Sequence, residues 1–68
     1  MTLDERLLAA HARDDKPALV ALYTEAADAA DTTDAACFFL TQAYVYGLEI
    51  ADPSVPVLFQ RLRAEKRA

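Results

Sequence analysis

The chain has one glycine, one cysteine, one histidine and no tryptophan among its 68 residues. A lone cysteine forbids an internal disulfide, and one cysteine with one histidine cannot build a zinc cage. With a single glycine there is no Gly-rich phosphate loop, and no bound cofactor or metal is expected. Basic residues are also few, 7 against 11 acids for a net charge of −4, the wrong balance for a nucleic-acid partner. No apolar run exceeds six residues, as at Ala35 to Leu40, where a membrane span needs about 20, so no membrane partner is expected. The opening Met-Thr-Leu-Asp-Glu-Arg lacks the basic start and apolar core of a signal peptide. The single thiol suits a reducing compartment, and a cytoplasmic location is expected.

What the chain has in excess is alanine, fifteen residues within a hydrophobic content of 54%. Ala has the highest helix propensity, and so apolar a composition does not suit a disordered segment. One small all-α domain spanning residues 1–68 is expected. A domain of this size buries only about 60% of the surface that its unfolded chain exposes. With disulfide and zinc excluded, self-association is the support that remains, and a homodimer is expected.

Thr2 followed by Glu5 is a capping-box signature, so a first helix is predicted from Leu3 to about Ala12. Its apolar side holds Leu3, Leu7, Leu8, Ala10 and His11. Asp15 and Pro17 supply an N-cap acid and a first-turn proline for a second helix. Leu19, Leu22, Tyr23, Ala26 and Ala30 form its stripe, widened by Val20 and Ala27. The cap-type residues Asp31 to Asp34 break the pattern, and a third helix is predicted from near Thr33 to Ile50. Its apolar arc runs through Tyr46, Phe39, Ile50, Ala43, Ala36, Leu40, Tyr44, Cys37 and Leu48 and covers about 220°, which predicts a central helix. Ala36, Ala43 and Gly47 share one sector that allows a close neighbour, and Gly47 reads as a packing residue rather than a helix stop. Pro53 and Pro56 mark the last break, and a fourth helix follows from about Ser54 with Val55, Leu58, Phe59 and Leu62 on its stripe. Short connections predict four antiparallel helices as two successive hairpins in a compact bundle.

A shift of 36 positions places Leu19, Leu22, Tyr23 and Ala26 on Val55, Leu58, Phe59 and Leu62. Either a true helix-pair repeat or the shared register of two amphipathic pairs accounts for this. The stretch Asp15 to Leu62 resembles the tetratricopeptide-repeat superfamily, or a related Sel1-like helical-hairpin repeat. Leu19 and Leu22 match the large residues of a first repeat helix, Ala36, Leu40 and Ala43 the small-large-small pattern of a second, and Asp52-Pro53 the closing turn. The resemblance implies a scaffold that binds peptides or partner proteins. It also implies a need for about three repeats to stand alone, where this chain holds at most two.

Each residue with chemistry to offer has a plain packing role available. His11 sits at the edge of an apolar stripe and reads as a boundary residue. Cys37 falls on the apolar arc and reads as buried and inert. The basic end, Arg61, Arg63, Lys66 and Arg67, suits a helix C-terminus, because the first sixty residues carry ten acids and three bases. No catalytic residue is expected. Phe38 and Val45 are the anomaly, seven residues apart on the polar side of the third helix among Asp34, Thr41, Gln42 and Glu49. They are either core beneath a neighbouring helix or an exposed contact patch on a flat array. The favoured expectation is a cytosolic protein-interaction or scaffold module, without catalysis, that docks a protein partner or its own copy through Phe38, Val45 and Tyr46. Val57 is a secondary candidate. The alternative is an accessory, antitoxin-like subunit that masks a basic partner with an acidic edge at Glu25, Asp28, Asp31 and Asp34.

Overall fold

The computed structural model describes residues 1–67, and the regular structure among them is four helices: α1 (Leu3–Ala12), α2 (Lys16–Ala29), α3 (Thr33–Ile50) and α4 (Val55–Ala64). The all-α expectation holds, and the helix starts follow the cap residues. Thr2 Oγ1 accepts from the Glu5 N–H while Glu5 Oε1 accepts from the Thr2 N–H, both at 3.1 Å, which closes the capping box. Asp15 accepts from the Ala18 N–H and Thr32 from the Ala35 N–H. α4 has no side-chain cap, and the turn before it is held by Asp52, whose Oδ1 accepts from the Ser54 N–H at 2.9 Å and the Ser54 hydroxyl at 2.6 Å.

The helix ends reveal the consequence of having almost no glycine. α1, α3 and α4 are each followed by the same six-residue hydrogen-bonded turn. The Asp15 N–H donates to Ala10 C=O, the Asp52 N–H to Gly47 C=O and the Arg67 N–H to Leu62 C=O. Such a turn needs one residue in the left-handed region, a place that glycine usually fills. Here Asp14, Ala51 and Lys66 fill it, with φ of 52°, 52° and 61°. The one glycine, Gly47, lies inside α3 instead. A Cβ there would stand 2.9 Å from Val55 Cγ2, so its bare backbone lets the start of α4 come close.

The helices pack in chain order, α1 on α2, α2 on α3 and α3 on α4. The radius of gyration, 11.4 Å, is near the value of about 11 Å for a compact chain of this length. The shape is nonetheless a slab, 32 × 28 × 12 Å. Val20 and Ala27 of α2, Cys37, Leu40 and Ala43 of α3, and Leu58 and Leu62 of α4 form the main core. A second cluster holds Ala10 of α1 with Leu19 and Leu22 of α2, and Tyr23 and Tyr46 pack against both. Three expected core positions are corrected. Leu8 is 69% exposed and Leu48 is 54% exposed, because α1 and α3 each have a side that no other helix covers, and Phe59 lies at the rim of α4.

Two outcomes follow. Ala51→Gly removes the left-handed penalty at the end of α3 and is expected to stabilise the fold by about 1 kcal/mol in urea melts. Hydrogen bonds from Ser54 hold the Asp52 carboxyl below its ordinary value of 3.8, and those from Thr2 hold Glu5 below 4.5. A depressed carboxylate stabilises the folded state above its unfolded value and loses that contribution as pH falls through the lower folded one. Stability is therefore expected to decline as pH drops below about 4, and Asp52→Ala is expected to flatten that acid limb in melts taken across pH.

Candidate functional site

α3 is the longest helix, and its neighbours take only part of its circumference. α2 and α4 cover the sector of Cys37, Leu40, Ala43 and Gly47, all buried. Opposite them, Phe38 is 58% and Val45 47% exposed. Seven residues at about 100° each bring these two to within about 20° of one another, so they stand in line along the axis. Thr41 and Leu48 stand about 60° and about 80° to one side of Phe38, and the four residues have the spacing three, four, three over 38, 41, 45 and 48. Of the two readings open for Phe38 and Val45, the flat array with exposed side chains is the arrangement present.

The stripe has a defined surface. Phe38 is held edge-on against Phe39, ring centroids 5.5 Å apart. The Thr41 hydroxyl donates to the Cys37 C=O at 2.8 Å, so its polar atom is already satisfied within the helix. Asp34, Cys37, Phe38 and Thr41, with Arg67 at the side, line a shallow cup of about 360 Å³. An ion pair stands at each end of the stripe: Arg67 with Asp34 beside the start of α3, and Lys16 Nζ with Glu49 Oε2 at 3.4 Å beside its end. Phe38, Val45 and Leu48 together expose on the order of 300 Å² of apolar surface, within the range of the largest patch on an ordinary monomer, which is often functional.

Tyr46 does not join this patch. It lies about 100° around α3 from Val45, on the side away from Thr41 and Leu48, and is half-buried. There it stacks on Tyr23, ring centroids 6.0 Å apart and planes 11° from parallel. His11 meets both rings edge-on, and its Nε2 lies 2.9 Å from the Tyr23 hydroxyl. Burial, and then the neighbouring Tyr46, pushes the Tyr23 phenol up, so it stays neutral and keeps its hydroxyl for His11. His11 thus fastens α1 to the α2 and α3 aromatics, and Cys37, 3% exposed, is packed in the main core.

The acidic edge is also occupied from within. Glu25 Oε2 lies 2.8 Å from Arg6 Nη1, and Asp28 Oδ1 lies 2.6 Å from Arg61 Nη2. With Asp34 held by Arg67, three of the four acids between residues 25 and 34 have an internal cation. Val57, on α4, is exposed apart from the α3 line. Among the described residues no three His, Cys, Asp or Glu side chains gather as metal ligands, and no helix is long and apolar enough to cross a membrane.

Leu48 and the two bracketing ion pairs are the parts of this surface that the sequence reading did not assign. The three-four-three spacing was present in the sequence for Leu48. The ion pairs join residues 33 positions apart and could not be read from spacing. No protein-family model, curated protein or solved structure matches the chain.

Because Phe38 is held by one neighbouring ring and otherwise faces solvent, Phe38→Ser is expected to leave the domain folded, with stability changed by less than about 1 kcal/mol. Leu58→Ala, which empties a fully buried position, is expected to cost about 2–5 kcal/mol in the same urea titration. Equal losses would place Phe38 in the core.

Proposed function

We propose that this chain is a small non-catalytic interaction module that docks the apolar face of a partner helix along Phe38, Thr41, Val45 and Leu48. The observation that carries the reading is the alignment of three exposed large apolar side chains on one face of the longest helix. A three-four alternation is the pattern by which two helices seat side chains between one another. His11 and Cys37, the two residues on which an enzyme would lean, are both engaged in packing. In this reading the helices form two antiparallel hairpins of tetratricopeptide-like character, in a cytoplasmic protein. The unusual feature is that the contact lies on a helix face rather than in a groove.

An acidic edge that masks a basic partner draws less support, since Glu25 and Asp28 would first have to release Arg6 and Arg61. The two readings respond differently to salt. Surface charge attraction is largely screened between about 0.1 M and about 1 M salt, whereas apolar docking is not. An amphipathic peptide helix with leucines at three-four spacing, titrated into isotope-labelled protein, is expected to move the amide resonances of residues 38–48. Its affinity should change less than about threefold across that salt range. Shifts confined to residues 25–34, lost at high salt, would move the site to the acidic edge.

A further inference from the structure

We infer that the partner helix is α3 of a second copy, docked antiparallel about a two-fold axis that passes between Thr41 and Gln42. This rests on the docking face proposed above and names its occupant. Residues i, i+3, i+4 and i+7 of a helix form the hole that receives a side chain from a facing helix. Asp34, Cys37, Phe38 and Thr41 have that spacing, and they line the cup beside the stripe. One heptad along, Thr41, Tyr44, Val45 and Leu48 repeat the same spacing and give a second set. Seating Val45 of the second copy in the first set brings Phe38 of the second copy over the next one in the same register. The large ring meets the smaller valine in both halves, and the arrangement closes on itself, as a two-fold interface must.

Charge at the ends fits the same register. Asp34 with Arg67 at one end of the stripe comes opposite Glu49 with Lys16 of the second copy. Each cation then has a carboxylate of its own chain and one of the other within the same cluster, at both ends of the interface. A parallel arrangement would instead set Phe38 on Phe38 and repeat one pair against itself. The apolar area on offer is below that of a standard interface, about 800 Å² per partner, so the dimer is expected to be weak and in exchange with monomer.

The test is sedimentation equilibrium of the full chain over a wide concentration range, alongside Phe38→Ser and Val45→Ser, with helicity checked for each by circular dichroism. The expected result is a reversible dimer whose dissociation constant rises at least about 100-fold in either variant, because the symmetry removes two apolar side chains at once. Register is read by mixing Asp34→Cys with Glu49→Cys proteins, each in a Cys37→Ala background. A mixed disulfide supports the antiparallel arrangement, and an Asp34→Cys homodisulfide overturns it. A wild-type chain that stays monomeric throughout overturns the second copy as occupant, and the peptide titration then judges the docking face alone. A dimer indifferent to both serine variants overturns the inference and the docking face together.

Discussion

Everything in this molecule rests on the contact between α2 and α3. Ala27 meets a face of α3 whose buried members include Ala43 and Gly47, and small residues let two helix axes approach more closely than leucines would. With that pair set, α1 lies on α2 and meets α3 through His11 and Tyr46, and α4 lies along α3 with Leu58 and Leu62 turned into the same core as Val20 and Ala27. Had the seam been built of large side chains, the start of α4 could not approach α3 as it does, since even a methyl group at Gly47 would collide with Val55. The slab shape is a consequence of this order of assembly. Each helix is added beside the last, and none returns to cover a face already formed.

The positions where helices begin were legible because each cap chemistry is local. Thr2 with Glu5, Asp15 with Pro17, and Thr32 needed only their immediate neighbours to be read. The ends of α1 and α3 also fall where the pattern stops, but the way they close was not legible, since the left-handed residues after α1, α3 and α4 are aspartate, alanine and lysine, none of which announces that conformation as glycine does. The helix periodicity located an apolar arc on α3 but not which part of it a neighbour would cover. Leu48 and Phe59 were assigned to the interior on pattern alone, and the side on which α4 settles leaves Leu48 in solvent and Phe59 at the rim. Tyr46 was grouped with Phe38 and Val45 as a residue at the border of the apolar arc, while its direction around the helix sends it to Tyr23 and His11.

The charges show a similar division between what is local and what is not. Spacing along the chain suggested an acidic edge from Glu25 to Asp34, and the composition of the last eight residues suggested a basic end. Folding brings Arg61 to Asp28, Arg67 to Asp34 and Arg6 to Glu25, so the two features largely answer one another. These pairs are exposed, and each contributes little to stability on its own. Their larger effect is on recognition, because an acid already beside an arginine is a poorer lure for a basic partner than an acid alone.

The stripe on α3 groups three of the large apolar side chains that the fold leaves uncovered, while Leu8 and Val57 are exposed elsewhere. Leu19 and Leu58 are the largest fully buried side chains in a core that is otherwise rich in alanine. Turning Phe38, Val45 and Leu48 inward would have enlarged it, yet the 18-residue helix holds them outward along about 15 Å of its length. Apolar area kept in water contributes nothing to the folded state of a single chain, and it does contribute once another helix removes that water. A partner that binds only the folded form adds its binding free energy to folding stability by mass action. On the docking reading proposed above, the exposed stripe is the part of the apolar surface of this domain through which a partner would add to its stability.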